Sequence, residues 1–223
     1  GFNVILGNPP WQELTVEEDA FWARYYPGLG GMTQRDQEEA KKEYRLSRPD
    51  LVLEYDKELK EAKIMRNFLV SNYEGMGKGD PDLYKAFCNR FIKLNGNQRT
   101  SLGVVLPRSA FSSAGSEYFR KQLVRSYTKL RVTILKNTKK WVFKDVSEQY
   151  TFALLNSLKT NLNKNTIELK GPYSFLKELE ENDKKPGVIF NSSDLEKWTD
   201  TWSFPALSEQ LSAKVFLQMR KSP

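Results

Sequence analysis

The chain has 223 residues, of which 39% are hydrophobic and 13% aromatic, so it holds enough apolar material to fold around a core. Its 35 Lys and Arg against 28 Asp and Glu give a net charge of +7, which permits a polyanionic partner without proving one. The absence of histidine and the single cysteine exclude Ser-His-Asp triads, histidine or multi-cysteine metal sites and an intramolecular disulfide.

The amino-terminal segment joins a short apolar run to a rigid turn. Residues 2–6 are mostly large aliphatic or β-branched, which predicts a buried strand. Asn8 follows, and two prolines then fix φ and lack an N–H. Asn8 is therefore held at the carboxyl end of a strand, where open α/β sheets bind their ligands.

The chemistry of this turn suits a planar ring with an exocyclic amino group. The Asn8 amide oxygen and the Pro9 carbonyl are hydrogen-bond acceptors, and Trp11 offers a flat π face. A rigid loop that leads into a core aromatic residue is the alternative interpretation.

A long polar passage follows the turn. It predicts a helix at 34–46 with Thr33 as its N-cap, and a second helix at 50–71. We interpret 12–79 as a mostly helical insertion containing a helical hairpin. The glycine-rich stretch 75–80 is similar to a phosphate-binding loop, but it follows a helix rather than a strand, which favours a flexible lid or hinge.

Alternating helices and strands come next. The pattern predicts helices at 80–94 and 115–125, and strands at 102–106, 130–135 and 150–155. This order indicates an α/β fold with a layered sheet. The single cysteine, at position 88, lies among apolar neighbours of the first helix, which favours a buried structural thiol over a nucleophile.

The pattern is looser in the last part of the chain. Four elements are predicted there, namely strands at 167–169 and 188–190 and helices at 173–181 and 208–219. Ser208 is the expected cap of the last helix. Trp198, Trp202 and Phe204 are expected to be packing aromatics.

The charge surplus is concentrated in residues 120–144, which contain no Asp or Glu. The basic residues of this segment are Arg120, Lys121, Arg125, Lys129, Arg131, Lys136, Lys139, Lys140 and Lys144. They are close in sequence to Phe143, and clustered cations beside an aromatic suit backbone phosphates and a stacked base. A solvated helix face is the alternative interpretation.

The Asn-Pro-Pro-Trp turn after an apolar strand resembles the catalytic motif of DNA adenine-N6 methyltransferases, whose pattern is Asn/Asp-Pro-Pro-Tyr/Phe/Trp. Further similarity follows in the order of the family's motifs. It comprises Leu83-Tyr84-Lys85-Ala86-Phe87, Leu106-Pro107, Gly115 and Arg120, and the aromatic unit 141–146 that leads into 150–155. The resemblance covers about residues 1–158 and is greatest to the large restriction-modification enzymes.

This resemblance implies that 1–158 is the carboxyl-terminal half of a catalytic domain, with part of a Rossmann-like methyltransferase sheet. Residues 159–223 would form an α+β extension toward a target-recognition region. The implied partner is double-stranded DNA, from which the target adenine flips out. The implied cofactor is S-adenosylmethionine. Because the family's glycine-rich cofactor motif precedes the catalytic strand, we expect an incomplete cofactor site here, the remainder of a parent methyltransferase as a partner, and weak or absent activity in isolation.

The resemblance also implies roles for single residues. The catalytic set is Asn8, Pro9, Pro10 and Trp11, in which Asn8 and the Pro9 carbonyl accept the two amino hydrogens of adenine. Trp11 and Phe143 would stack on the target base, and Asn8 and Pro10 would form part of the cofactor site. The residues expected to contact the DNA backbone are Arg108, Lys136, Lys139, Lys140 and Lys144. No metal is required.

Two other classes of protein remain open. The chain can be a non-catalytic nucleic-acid-binding module, or part of a methyltransferase for RNA or protein glutamine, since those enzymes also use Asn-Pro-Pro-aromatic. The long insertion and the basic segment favour DNA. No apolar stretch reaches membrane-spanning length and no signal peptide is recognisable, so we expect a cytoplasmic protein without a membrane partner.

Overall fold

A computed structural model describes residues 1–76, 81–96, 99–161, 165–198, 200–207 and 210–219, without the side chains of 196–198 and 217. The chain divides into two compact units. Glu13–Asn72 forms the smaller unit, and Gly1–Gln12 together with Tyr73–Pro223 forms the larger one.

A six-stranded mixed sheet organises the larger unit. Its strands are β1 (Val4–Gly7), β2 (Thr100–Pro107), β3 (Lys129–Lys136), β4 (Thr151–Lys159), β5 (Thr166–Tyr173) and β6 (Val188–Asn191). Their order across the sheet is β1-β2-β4-β3-β5-β6. β1 is parallel to β2 and β3 is parallel to β5, whereas β4 is antiparallel to both of its neighbours. The last pair, β5 and β6, is antiparallel.

Helices occur in both units. In the described residues they are α1 (Glu18–Tyr25), α2 (Gln34–Ser47), α3 (Pro49–Asn72), α4 (Leu83–Leu94), α5 (Ser109–Ser112), α6 (Glu117–Ser126), α7 (Leu176–Asp183), α8 (Ser192–Trp198) and α9 (Gln210–Met219). Short 3-10 turns lie at Leu29–Gly31, Ala114–Ser116 and Thr138–Lys140. The predicted α/β class is confirmed, with predicted strands present at β1 to β6.

Four strands point in the same direction, because β4 is antiparallel to both β2 and β3. The carboxyl ends of β1, β2, β3 and β5 therefore meet at one edge of the sheet, which we call the carboxyl edge. The segments after Gly7, Pro107, Lys136 and Tyr173 all leave from it, and β4 enters there at Thr151. Ligands of open α/β sheets bind at such an edge.

The main hydrophobic core lies between one face of the sheet and helices α4, α5 and α6. Cys88 on α4 is 0% exposed, and burial raises the pKa of its thiol. The prediction of a buried structural cysteine is thus confirmed. Trp202 and Phe204 pack in the same core, as predicted. The Trp198 side chain, Ser208 and residues 77–80 of the predicted lid lie outside the described residues.

The first strand is more exposed than its sequence predicts. Ile5 packs against the core, but Val4 and Leu6 are 61% and 79% exposed. β1 is an edge strand that pairs only with β2 in the described sheet, and Leu6 lies over Gly103, which has no side chain to cover it. The strand is present, but the prediction that it is buried is wrong.

The smaller unit is helical, with a core of its own. That core consists of Phe21, Trp22, Leu29 and Leu51. Tyr26 and Tyr44 stack on each other with ring centroids 3.6 Å apart. The predicted cap of α2 is present, since the Thr33 hydroxyl accepts a hydrogen bond from the Asp36 N–H at 3.3 Å. The two predicted helices are present as α2 and α3, while α1 was not predicted.

No helix of the described residues has the length and apolar character needed to cross a membrane.

Two buried tyrosines generate a prediction on alkaline stability. Burial raises the pKa values of Tyr84 and Tyr127 to about 12, and the Tyr84 hydroxyl lies 2.9 Å from that of Ser116. A phenol whose pKa is raised by folding contributes stability that is complete below its unfolded pKa of about 10 and is lost as the pH rises through the folded value. We expect the free energy of unfolding to fall between about pH 10 and pH 12.

Urea unfolding over this pH range checks the expectation. The double variant Tyr84→Phe with Tyr127→Phe should show a smaller fall than the unsubstituted chain. Equal falls in both proteins would show that other groups cause the alkaline loss.

Candidate functional site

The Asn-Pro-Pro-Trp turn leaves β1 at the carboxyl edge. The Leu83 N–H, at the start of α4, donates to the Gln12 carbonyl at 3.1 Å and so anchors the end of the turn. Pro9 is buried, whereas Asn8 and Pro10 are exposed. Within the part of the chain that the structure describes, the Asn8 amide has no hydrogen-bond partner. Its oxygen is available to accept a hydrogen bond from a ligand.

Three aromatic rings meet beside this turn, and we call Trp11, Phe143 and Phe152 the aromatic cluster. The ring centroids of Trp11 and Phe152 are 5.3 Å apart, and those of Phe143 and Phe152 are 4.8 Å apart. Trp11 and Phe143, predicted to stack on one base, lie 6.4 Å apart with an interplanar angle of 88°. The rings are thus edge to face, and one of them must turn before a base can lie between two parallel faces.

The indole N–H of Trp11 is unusual in this cluster. Its Nε1 atom is buried and has no hydrogen-bond partner among the described residues. A buried donor without a partner costs about 1–3 kcal/mol. In its present position, the Trp11 ring therefore leaves its one polar atom, Nε1, without a hydrogen bond.

Phe143 lies in the segment 137–150, which connects β3 to β4 and which we call the aromatic loop. Asn137 begins this loop and is 0% exposed. Its Oδ1 accepts hydrogen bonds from the N–H groups of Val142 and Phe143 at 3.2 and 3.0 Å. Its Nδ2 donates to the carbonyls of Phe143, Val146 and Ser147 at 3.0, 2.9 and 3.3 Å. Sequence reasoning missed this residue, because its partners are all backbone groups.

Further contacts fix the first turn of the loop. The Trp141 indole donates to the Lys136 carbonyl at 2.7 Å, and the Lys139 N–H donates to a Glu148 carboxylate oxygen at 3.1 Å. Lys139 and Lys140 have φ values of 54° and 57°, in the left-handed region that few non-glycine residues adopt. The chain therefore turns sharply just after β3.

The basic residues assigned to the DNA backbone all lie at the carboxyl edge and are exposed. We call them the edge cations, and they are Arg108, Lys136, Lys139, Lys140 and Lys144. Arg108 follows β2, Lys136 directly precedes the aromatic loop, and the other three lysines belong to it. The loop also exposes Asp145 and Glu148, which balance part of this charge. The structure thus brings the predicted edge cations, the turn and the aromatic cluster to one edge.

The rest of the basic segment lies elsewhere. Arg120 is 0% exposed, and its guanidinium donates to the Ala110 carbonyl at 3.0 Å and to the Thr201 carbonyl at 2.6 Å. Burial lowers the pKa of Arg120 to about 10. Arg131 pairs with Glu168 at 2.7 Å. The prediction of a single basic patch at 120–144 is therefore wrong.

The direction of β3 explains this correction. Lys129 is at the first residue of β3 and Lys136 at the last, so their side chains lie at opposite edges of the sheet. Lys121 pairs with Glu117 on α6 at 2.5 Å, so its charge is balanced within that helix. The number of basic residues in a sequence segment does not show at which edge of the sheet each side chain lies.

No group of three or more His, Cys, Asp or Glu that could hold a metal ion occurs within the described residues.

Three solved structures that match part of this chain are DNA complexes. The cryoEM structure of the DrdV–DNA complex matches 94% of this chain with a TM-score of 0.51 and 13% identity. A nuclease-deletion mutant of the Type ISP restriction-modification enzyme LlaGI, in complex with a DNA substrate mimic, matches 95% with a TM-score of 0.49 and 12% identity. The ATP-dependent Type ISP restriction-modification enzyme LlaBIII bound to DNA matches 75% with a TM-score of 0.40 and 14% identity.

These comparisons concern the fold alone. The chain spans 18%, 19% and 10% of the lengths of the three matched chains. No family model matches this chain, and no curated protein matches it. At 13% identity the likeness to DrdV shows a shared fold and leaves the activity to be proposed from the site.

The buried guanidinium generates a stability prediction. Arg120→Leu keeps much of the buried volume but leaves the Ala110 and Thr201 carbonyls without their donor, so we expect the free energy of unfolding to fall by about 1–3 kcal/mol. Arg125→Leu is the matched control, because Arg125 is exposed on the same helix. It should change the free energy of unfolding by less than about 0.5 kcal/mol. Urea denaturation compares the two, and similar effects would show that the buried contacts contribute little.

Proposed function

We propose that the chain is the catalytic, base-binding half of an S-adenosylmethionine-dependent methyltransferase that acts on the N6 amino group of adenine in DNA. The parent would be a restriction-modification or related defence protein. The observation that carries the proposal is the exposed Asn8 amide, unpaired among the described residues, on a proline-fixed turn next to Trp11 and Phe143 at the carboxyl edge. The shared fold with the DrdV–DNA complex supports DNA as the partner.

The turn would act by orientation and electrostatics. Asn8 Oδ1 and the Pro9 carbonyl accept the two hydrogens of the adenine amino group, which raises electron density on its nitrogen and guides it toward tetrahedral geometry. Pro9 is buried and both prolines restrict φ, so these acceptors need little reorganisation. S-adenosylmethionine supplies an electrophilic methyl group when it is bound.

The aromatic cluster and the edge cations would hold the DNA. The amino group of adenine cannot be reached inside a duplex, so the base must leave the stack. Trp11 and Phe143 would then stack on the extruded base. The edge cations are exposed on or beside the loop that carries Phe143, where they can contact backbone phosphates.

The cofactor site would be completed by another part of the parent protein. Asn8 and Pro10 can form only its border, since the described residues contain no glycine-rich turn after a strand. β1 has one unpaired edge in the described sheet, and Val4 and Leu6 expose apolar side chains beside it. An open strand edge with apolar neighbours favours further protein packing. We therefore propose that the remainder of the parent, with the main cofactor motif, packs along β1.

Methyl transfer by the full-length parent protein tests the role of Asn8. With radiolabelled S-adenosylmethionine and unmethylated DNA, we expect label in N6-methyladenine. Asn8→Ala should lower the rate by at least about 100-fold, because it removes a preorganised hydrogen bond to the reacting group. Asn182→Ala is the matched control, since the Asn182 amide bonds within α7, and it should leave the rate unchanged.

The result also separates the alternative functions. A folded parent that binds the cofactor but labels RNA or protein glutamine instead of DNA would overturn the DNA assignment. A parent that binds DNA without any methyl transfer would favour the non-catalytic binding module.

The salt dependence of DNA binding tests the edge cations. Removing one phosphate contact should lower the magnitude of the slope of log K against log salt by about 0.9. We expect the double variant Lys136→Gln with Lys144→Gln to lower it by about 1.8, since two such contacts are removed. The control Arg125→Gln with Lys129→Gln removes the same charge from exposed residues outside the carboxyl edge group. Fluorescence anisotropy at several salt concentrations measures the DNA affinity of both double variants. Equal slopes for the two variants would mean that only the net charge of the protein matters.

A further inference from the structure

We propose that Asn137 is a positioning residue that holds Phe143 in place for the target base. The inference deepens the proposed function and rests on it. Asn137 itself is 0% exposed and is not expected to touch the base. It would act through the backbone of the aromatic loop.

The hydrogen-bonding capacity of the Asn137 side chain is fully used. Its Oδ1 has two lone pairs and accepts from two N–H groups, those of Val142 and Phe143. Its Nδ2 has two hydrogens and serves three carbonyls, those of Phe143, Val146 and Ser147. An aspartate would keep the acceptors but lose the donors, and an apolar residue would lose both. Among side chains of this size, only asparagine serves both sets of partners.

Phe143 is the residue most constrained by this arrangement. Its N–H and its carbonyl both bond to the Asn137 side chain, each at 3.0 Å. The backbone on both sides of the Phe143 ring is therefore fixed to a single amide. The ring points toward Phe152, which is 0% exposed and belongs to β4, with centroids 4.8 Å apart.

Asn137 also ties the loop to the sheet. Its backbone N–H donates to the Tyr150 carbonyl at 3.1 Å, which joins the two ends of the loop. Its own carbonyl accepts from the Lys140 N–H at 2.7 Å, within the sharp turn of the loop. The position of Phe143 is thus defined relative to β3 and β4.

A fixed ring matters for stacking on an extruded base. A loop that must first become ordered pays that entropy on binding, and a misplacement of about 1 Å can lower a rate about 100-fold. Because Asn137 holds the loop in place before the base arrives, neither the entropy cost of ordering nor the misplacement of the ring would arise. The effect should appear in the chemical step and in base stacking more than in overall DNA affinity, since the edge cations remain.

The test uses the full-length parent protein and its Asn137→Asp variant, with a DNA duplex that carries 2-aminopurine at the target adenine. We expect the DNA dissociation constant to change by less than about 3-fold, while kcat for methylation of ordinary DNA falls about 100-fold. The fluorescence of extruded 2-aminopurine should rise in the variant, because Phe143 no longer stacks steadily on it. Unchanged kcat and unchanged fluorescence in a folded variant would overturn the inference.

Controls separate positioning from general destabilisation. Trp141→Phe removes the single indole hydrogen bond of the same loop and should lower kcat by less than about 3-fold. Ile167→Val weakens the core at β5, away from the loop, and should lower the melting temperature without changing the 2-aminopurine signal. If Asn137→Asp does not fold, Asn137→Ser, which keeps one donor and one acceptor, replaces it.

Hydrogen exchange on the full-length parent protein distinguishes the possible failures. The amides of Val142 and Phe143 should exchange slowly, and Asn137→Asp should accelerate them more than Trp141→Phe does. Fast exchange of both amides in the unsubstituted parent protein overturns the positioning role, whether or not the parent is active. If exchange is slow but the parent neither extrudes nor methylates adenine, the proposed function fails and the role for a base fails with it. Methylation that survives Asn137→Asp intact overturns the positioning role alone.

Discussion

The common direction of β1, β2, β3 and β5 is the constraint on which the candidate site depends. It places the turn after β1 and the loop after β3 at one edge of the sheet, although they are more than a hundred residues apart in sequence. β4 is antiparallel and enters at the same edge, so Phe152 near its start lies within contact of both Trp11 and Phe143. The aromatic cluster is therefore a direct consequence of strand order.

The two sides of the aromatic cluster differ in how well their polar groups are satisfied. On one side, the Asn137 amide has all of its hydrogen-bonding capacity filled, which makes displacement of Phe143 costly. On the other, the buried Trp11 Nε1 has no partner among the described residues. A rotation that brings this N–H to water or to a ligand would recover part of the cost. Trp11 is thus the ring whose movement is easier, and Phe143 is the fixed one.

Local sequence pattern predicted the six strands and most of the longer helices, while strand direction and side-chain burial depended on tertiary structure. The α2 helix and its Thr33 cap follow from periodicity and capping chemistry, both of which are local. Asn137 could not be identified, because backbone partners leave no trace in the sequence. The exposure of Leu6 depends on which strands lie next to β1. For Arg120 a signal did exist, since it lies on the apolar stripe of α6 with Phe119 and Leu123.

That position of Arg120 has a structural consequence beyond charge. Its guanidinium bonds to the Ala110 carbonyl in α5 and to the Thr201 carbonyl, so it joins α5 to the irregular segment 200–207. An arginine side chain carries five N–H donors in a rigid planar group, so one residue can donate to several carbonyls at once. This explains why a cation is buried at position 120. The neighbouring Phe204 N–H donates to the Phe111 carbonyl at 2.8 Å. Residues 200–207 are therefore held against α5 and α6, the helices that cover the sheet beside Arg108.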